Sequence, residues 1–144
     1  MPWLPDLGPR RHSQRRLFVG KDFAKWAGTL SAQRLPLRMT SPKDELLQIA
    51  ADFVAGEKVI SFIRRIDPPR GQGVLRFCTP SLRIAGWCPE AQVMALVRGA
   101  MADKMHGAGR PLNKLGDEVV AERKRMGVTA WARGEIYELF RASN

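Results

Sequence analysis

Residues 59–79, VISFIRRIDPPRGQGVLRFCT, constrain this chain more than any other stretch, because two strand-like runs flank a loop that can only turn. In residues 59–66 the side chains of Ile60, Phe62 and Ile66 alternate with those of Val59, Ser61, Ile63 and Arg65, the period-2 pattern of a half-buried strand. Pro68 and Pro69 cannot donate to a sheet ladder, and Gly71 and Gly73 favour reversal, so residues 67–73 close a hairpin. The second run, 74–79, places Leu75 and Phe77 opposite Val74, Arg76 and Cys78. Pro80 ends it, and residues 82–87 form a weaker third strand.

Helical spacing surrounds this hairpin. Ser41 is a good N-cap, Pro42 suits the first helical position, and Asp44 and Glu45 occupy the turn that the helix dipole favours. Leu46, Ile49, Ala50 and Phe53 then make one apolar stripe that Gly56 ends. From Pro89, the residues Val93, Val97, Ala100, Met101 and Met105 recur at helical spacing, which predicts a helix over 89–105 stopped by Gly107 and Gly109. Met94, Met101 and Met105 read as core filler. Asn113 is the expected cap of a further helix carrying Leu112, Leu115, Val119 and Met126. Thr129 is the expected cap of a last one carrying Ala132, Ile136, Leu139 and Phe140. The fold class is α+β: an N-terminal helix, a three-stranded antiparallel sheet built on the basic hairpin, and two or three C-terminal helices on one face.

Charge divides the chain unevenly. The formal net charge is +10, yet residues 1–38 hold eight basic and two acidic residues, while the other 106 hold sixteen and twelve. Pro2, Pro5, Pro9 and the run RRHSQRR make the front extended, and Asp22 can cap a short helix bearing Phe23, Trp26, Ala27 and Leu30. The expected division is therefore a basic, flexible leader over 1–38 and a compact domain over 39–144. The leader reads as a phosphate-binding arm, a targeting peptide, or sequence upstream of a functional start at Met39.

Basicity of this order favours a polyanionic partner. No apolar run approaches the roughly 18 residues that span a bilayer. Two cysteines, Cys78 and Cys88, fit a reducing, cytoplasmic setting or indifference to redox. Catalytic and cofactor signatures are missing: no nucleophile elbow, zinc-protease helix or phosphate loop occurs, GAGRPL lacks the context of a dinucleotide fingerprint, and Cys78, Cys88 and His106 lack metal-ligand spacing. Neither an enzyme nor a cofactor or metal site is expected.

Binding residues are therefore the candidates. A protruding hairpin bearing Arg64, Arg65, Arg70 and Arg76 can follow a phosphate backbone, since guanidinium groups pair bidentately with phosphate. Arg15 and Arg16 of the leader and the basic helix end Arg123, Lys124 and Arg125 extend the set. The helical pair around Gly127 fails as a helix-turn-helix, because Arg123 and Arg133 occupy positions that motif needs small or buried. Two functions follow. One is a nucleic-acid-binding accessory or regulatory protein; the other is an adaptor or inhibitor that captures an acidic protein partner, with Trp131 as a candidate anchor. Oligomeric state is not legible.

Overall fold

The computed structural model describes residues 15–58 and 62–141. The Ser41 signals work as the sequence implies: its hydroxyl accepts a hydrogen bond from the Asp44 amide at 3.1 Å, and Pro42 opens α2 (Pro42–Val54). This helix buries Leu46, Ile49, Ala50, Phe53 and Val54, each large side chain worth about 2 kcal/mol of removed apolar surface.

The sheet has five strands rather than three, and it is mixed rather than antiparallel. Its members are β1 (Arg16–Val19), β2 (Ile63–Arg65), β3 (Val74–Cys78), β4 (Leu82–Trp87) and β5 (Val93–Met101), in the spatial order β1-β5-β4-β3-β2. The β2–β3 hairpin and β4 form antiparallel pairs as the alternation predicts. Of the first strand-like run, Val59, Ile60 and Ser61 lie outside the described residues.

The largest correction concerns residues 89–105. They form no helix; the nine-residue β5 and a 3-10 turn (Ala102–Met105) occupy this stretch. The physical reason is burial on both faces. Residues 93–97 are all buried: Met94 and Leu96 lie in the core cluster of one face and Ala95 and Val97 in that of the other, while β1 and β4 pair along the two edges, parallel and antiparallel. A strand covered on both sides carries a continuous apolar run, and such a run has no period-2 signature to separate it from a helix. Its second neighbour, β1, comes from residues assigned to the leader. Leu17 of β1 and Phe23 of α1 (Lys21–Ala27) belong to the same buried cluster as Phe53 and Phe77.

Helices cover both faces, not one. On the first face α1, α2 and the chain end pack over Leu75, Phe77, Ile84, Met94 and Leu96; Phe53 stacks against Phe77 and Phe140 with ring centroids 5.2 and 5.3 Å apart. On the second, α3 (Pro111–Arg125) lays Leu115 and Val119 over Val74, Ala85, Trp87, Ala95 and Val97. The N-cap of α3 lies three residues earlier than expected, at Arg110 rather than Asn113, and is in a left-handed conformation. The last helix shrinks to one turn, α4 (Ile136–Leu139), held by a capping box between Glu135 and Glu138 and not by Thr129.

A bulge sets the geometry of the second face. The β4–β5 register shifts between Ala85 and Gly86, so Val97 becomes an extra residue and Arg98 pairs with Ala85. Val97 packs into the α3 cluster and Arg98 meets α3 carboxylates, so both point to the same side. Only glycine fits at position 86, where a Cβ would sit 1.6 Å from the Ala95 carbonyl oxygen.

Candidate nucleic-acid interface

Cross-strand register brings arginines into line. Arg64 of β2 lies directly opposite Arg76 of β3, Arg76 opposite Ala85 of β4, and Ala85 opposite Arg98 of β5. Residues in direct register share a face, here the α3 face, because Leu75 and Phe77 on either side of Arg76 pack on the opposite one. Arg83, flanked by the inward Leu82 and Ile84, joins them one step along, opposite Cys78. Arg64 is exposed and Arg76 and Arg83 are half-buried.

The two ends of the row differ in charge. Arg98 is surrounded by Glu122 at 3.1 Å, Asp22 at 3.5 Å and Glu118 at 3.8 Å. At the other end Arg76 and Arg83 form no ion pair among the described residues. The buried Nε of Arg76 has no hydrogen-bond partner there, and Arg83 donates only to the carbonyls of Thr79 and Leu82. Like charges placed directly across a sheet repel. Arg70, at the hairpin tip, is 92% exposed and lies 3.9 Å from Asp67.

The remaining candidates disperse. Arg15 is a core residue, 1% exposed, whose guanidinium donates to the carbonyls of Phe53, Glu57 and Arg141. Burial, only partly offset by the charge of Glu57, lowers its pKa to about 10. It clamps α2, the turn after it and the chain end together. Arg16 lies on the opposite sheet edge, paired with Glu90. Arg65 donates to the Gly134 carbonyl. Arg123, also 1% exposed, donates to the Gln72 carbonyl at 2.6 Å and its side-chain oxygen at 2.9 Å while lying 3.5 Å from the centre of the Trp131 ring. Burial first, then the nearby charge of Arg133, lowers its pKa. Lys124 is exposed, and Arg125 pairs with Glu122 and Asp22. Trp131 is half-buried, with Arg133 4.9 Å over its ring as well.

The chain matches no family model, no curated protein and no solved structure. The site must be read from its own chemistry. Sequence reasoning misses Arg83 and Arg98, and finds Arg133 only as a misfit to the helix-turn-helix pattern. For Arg83 a signal exists in the alternation Leu82, Arg83, Ile84, but its value depends on the β3–β4 register. No group of acidic, histidine and cysteine side chains among the described residues could hold a metal ion. Both cysteines are free, and burial raises the Cys88 pKa to about 11, which keeps it a thiol. No helix among the described residues is long and apolar enough to cross a membrane.

Proposed function

We propose that this protein binds nucleic acid through its phosphates, using Arg64, Arg76 and Arg83 on the sheet and Arg70 at the hairpin tip, as a cytoplasmic accessory or regulatory factor without chemistry of its own. One observation carries the reading. Arg64 and Arg76 stand in direct register beside Arg83, and no carboxylate pairs with Arg76 or Arg83 among the described residues. The repulsion in such an array is relieved when a polyanion enters, and each phosphate neutralised releases condensed counterions. Fork-shaped donors on a fixed sheet also suit bidentate phosphate contacts.

Fluorescence anisotropy with duplex DNA, single-stranded DNA and RNA across a salt series tests it. The expected result is a steep fall in affinity with salt, with a slope that decreases by about one for each of Arg70→Ala and Arg76→Ala. Affinity without salt dependence, or slopes unchanged in both variants, would remove the sheet arginines from the interface.

A second reading has its own support. Helices α1 and α2 leave a groove of about 270 Å³ lined by Val19, Phe23, Ala27, Leu46, Leu47 and Lys43, and Leu37 and Met39 are exposed in the intervening loop beside Arg38. Apolar surface next to cations suits an acidic protein partner. Its anchor would be this groove, since Trp131 is clasped between two guanidinium groups. Anisotropy of a labelled acidic amphipathic peptide, with Lys43→Glu as the control, separates it from the first reading.

A further inference from the structure

The β2–β3 loop and the segment from Trp131 to Gly134 enclose a second feature, a cavity of about 190 Å³ whose walls include Arg65, Asp67, Gly71, Gly73, Trp131 and Arg133. Its two walls are fixed to each other without any ligand. Arg123 of α3 reaches under the loop to hold the Gln72 carbonyl and side chain, and the same guanidinium lies against the Trp131 ring. Arg133 adds a bond of 3.4 Å to the Gly71 carbonyl, and Arg65 donates to that of Gly134. Gly73 permits this closeness, since a Cβ there would lie 2.7 Å from the Trp131 indole nitrogen.

Cations outnumber acids along the cavity: Arg65 and Arg133 line it together with the carboxylate of Asp67, which Arg70 approaches at 3.9 Å, and the guanidinium of Arg123 lies against the Trp131 ring. Arg65 and Arg133 each commit one N–H to a carbonyl, and a guanidinium carries about five donors. The Trp131 indole N–H is buried against Gly73, so the exposed guanidinium groups of Arg65 and Arg133 are the donors that a ligand in the cavity would meet. Size narrows the class: pockets for whole small molecules run from roughly 300 Å³ upward, so this one suits a compact group whose remainder stays outside. Planar forks facing a small anion match phosphate oxygens, and a phosphomonoester, with its second charge and three terminal oxygens, gains more from them than a backbone diester.

We propose that this cavity binds a phosphomonoester dianion, the terminal phosphate of a nucleic-acid strand whose backbone runs along the sheet arginines. The source of the phosphate rests on the nucleic-acid reading above; the anion chemistry does not. The experiment uses the full chain at slightly alkaline pH and constant ionic strength. Calorimetry with inorganic phosphate, with acetate as control, runs beside anisotropy of one oligonucleotide prepared with a 5′-phosphate, a 3′-phosphate or hydroxyl ends. Inorganic phosphate is expected to bind and acetate not, and an end-phosphorylated strand to bind about tenfold tighter than its hydroxyl counterpart. Arg133→Ala erases that difference and leaves the hydroxyl strand's affinity in place. Arg133 is exposed, and an unchanged melting curve is the check that Arg133→Ala keeps its fold without the bond to Gly71; Arg65→Gln gives an independent second test. No phosphate heat, or equal phosphate binding by wild type and both variants, overturns the proposal. Strands that bind equally whatever their ends overturn it too, while leaving the nucleic-acid reading intact. Phosphate binding lost in Arg133→Ala, with no strand bound, upholds the anion chemistry and discards the nucleic-acid source.

Discussion

The arginine row that crosses the sheet ends in two different environments. At the β5 end Arg98 sits among Asp22, Glu118 and Glu122, and Arg125 closes the network by pairing with two of the same carboxylates. At the β3 end Arg76 meets no carboxylate among the described residues, with Arg64 opposite it and Arg83 beside it. One residue type on one sheet face thus stands in two environments. Where α1 and α3 supply acids, the guanidinium fastens layers together; at the β3 end Arg76 and Arg83 meet no carboxylate among the described residues, which is where the proposed reading puts an outside anion.

This contrast can be broken at either end. The largest effect is expected from Arg98→Glu, which places a fourth carboxylate among three and should cost about 3 kcal/mol in chemical denaturation; a loss no greater than that of a typical surface change would show that the network holds nothing. Arg64→Ala combined with Arg76→Ala is next. Polyanion affinity should fall roughly thirtyfold at moderate salt, with the melting temperature close to that of the wild type. A clear drop in melting temperature would mean that these arginines are structural.

Acid titration gives a smaller, signed effect. A hydrogen bond from Arg125, then the charges of Arg125 and Arg98, hold the Glu122 pKa below its ordinary value of 4.5. A carboxyl depressed in the folded state stabilises above its unfolded pKa and loses that contribution as pH falls through the folded one. Stability should therefore decline below about pH 4.5, and Glu122→Gln should flatten part of that decline in urea melts. The smallest effect would sharpen the comparison by making the ends alike. Cys78→Asp sets a carboxylate opposite Arg83 and on the face of Arg76; it should weaken nucleic-acid binding a few-fold and add about 0.5 kcal/mol of stability.

Local chemistry made much of the fold legible. Ser41 and Pro42 announce α2, Pro68, Pro69 and the following glycines announce the hairpin, and Gly127 marks the end of α3, because capping and turning act within a few residues. The candidate site was less so. Arg64 and Arg76 stand in direct register, but Arg15 and Arg123 were indistinguishable from them as letters in a basic run. Each is absorbed by carbonyls far along the chain: Arg15 by Phe53, Glu57 and Arg141, Arg123 by Gln72.

Sequence by itself determined the helix that begins at Ser41, the turning of the chain at residues 67–73, the alternation of β3 and β4, and an excess of positive charge. Tertiary structure alone decided the rest. The run from Val93 to Val97 is a strand because β1 and β4 stand on either side of it, and its apolar pattern would have served a buried helix as well. The same pairing gave residues 16–19 a place in the sheet, while acids on α1 and α3 and carbonyls of distant segments sorted the arginines into network members and clamps, and Arg123, Arg133 and Arg65 tied the walls of the cavity beside Trp131. Spacing along a chain encodes local geometry, whereas the environment of a charge depends on which distant segments arrive next to it.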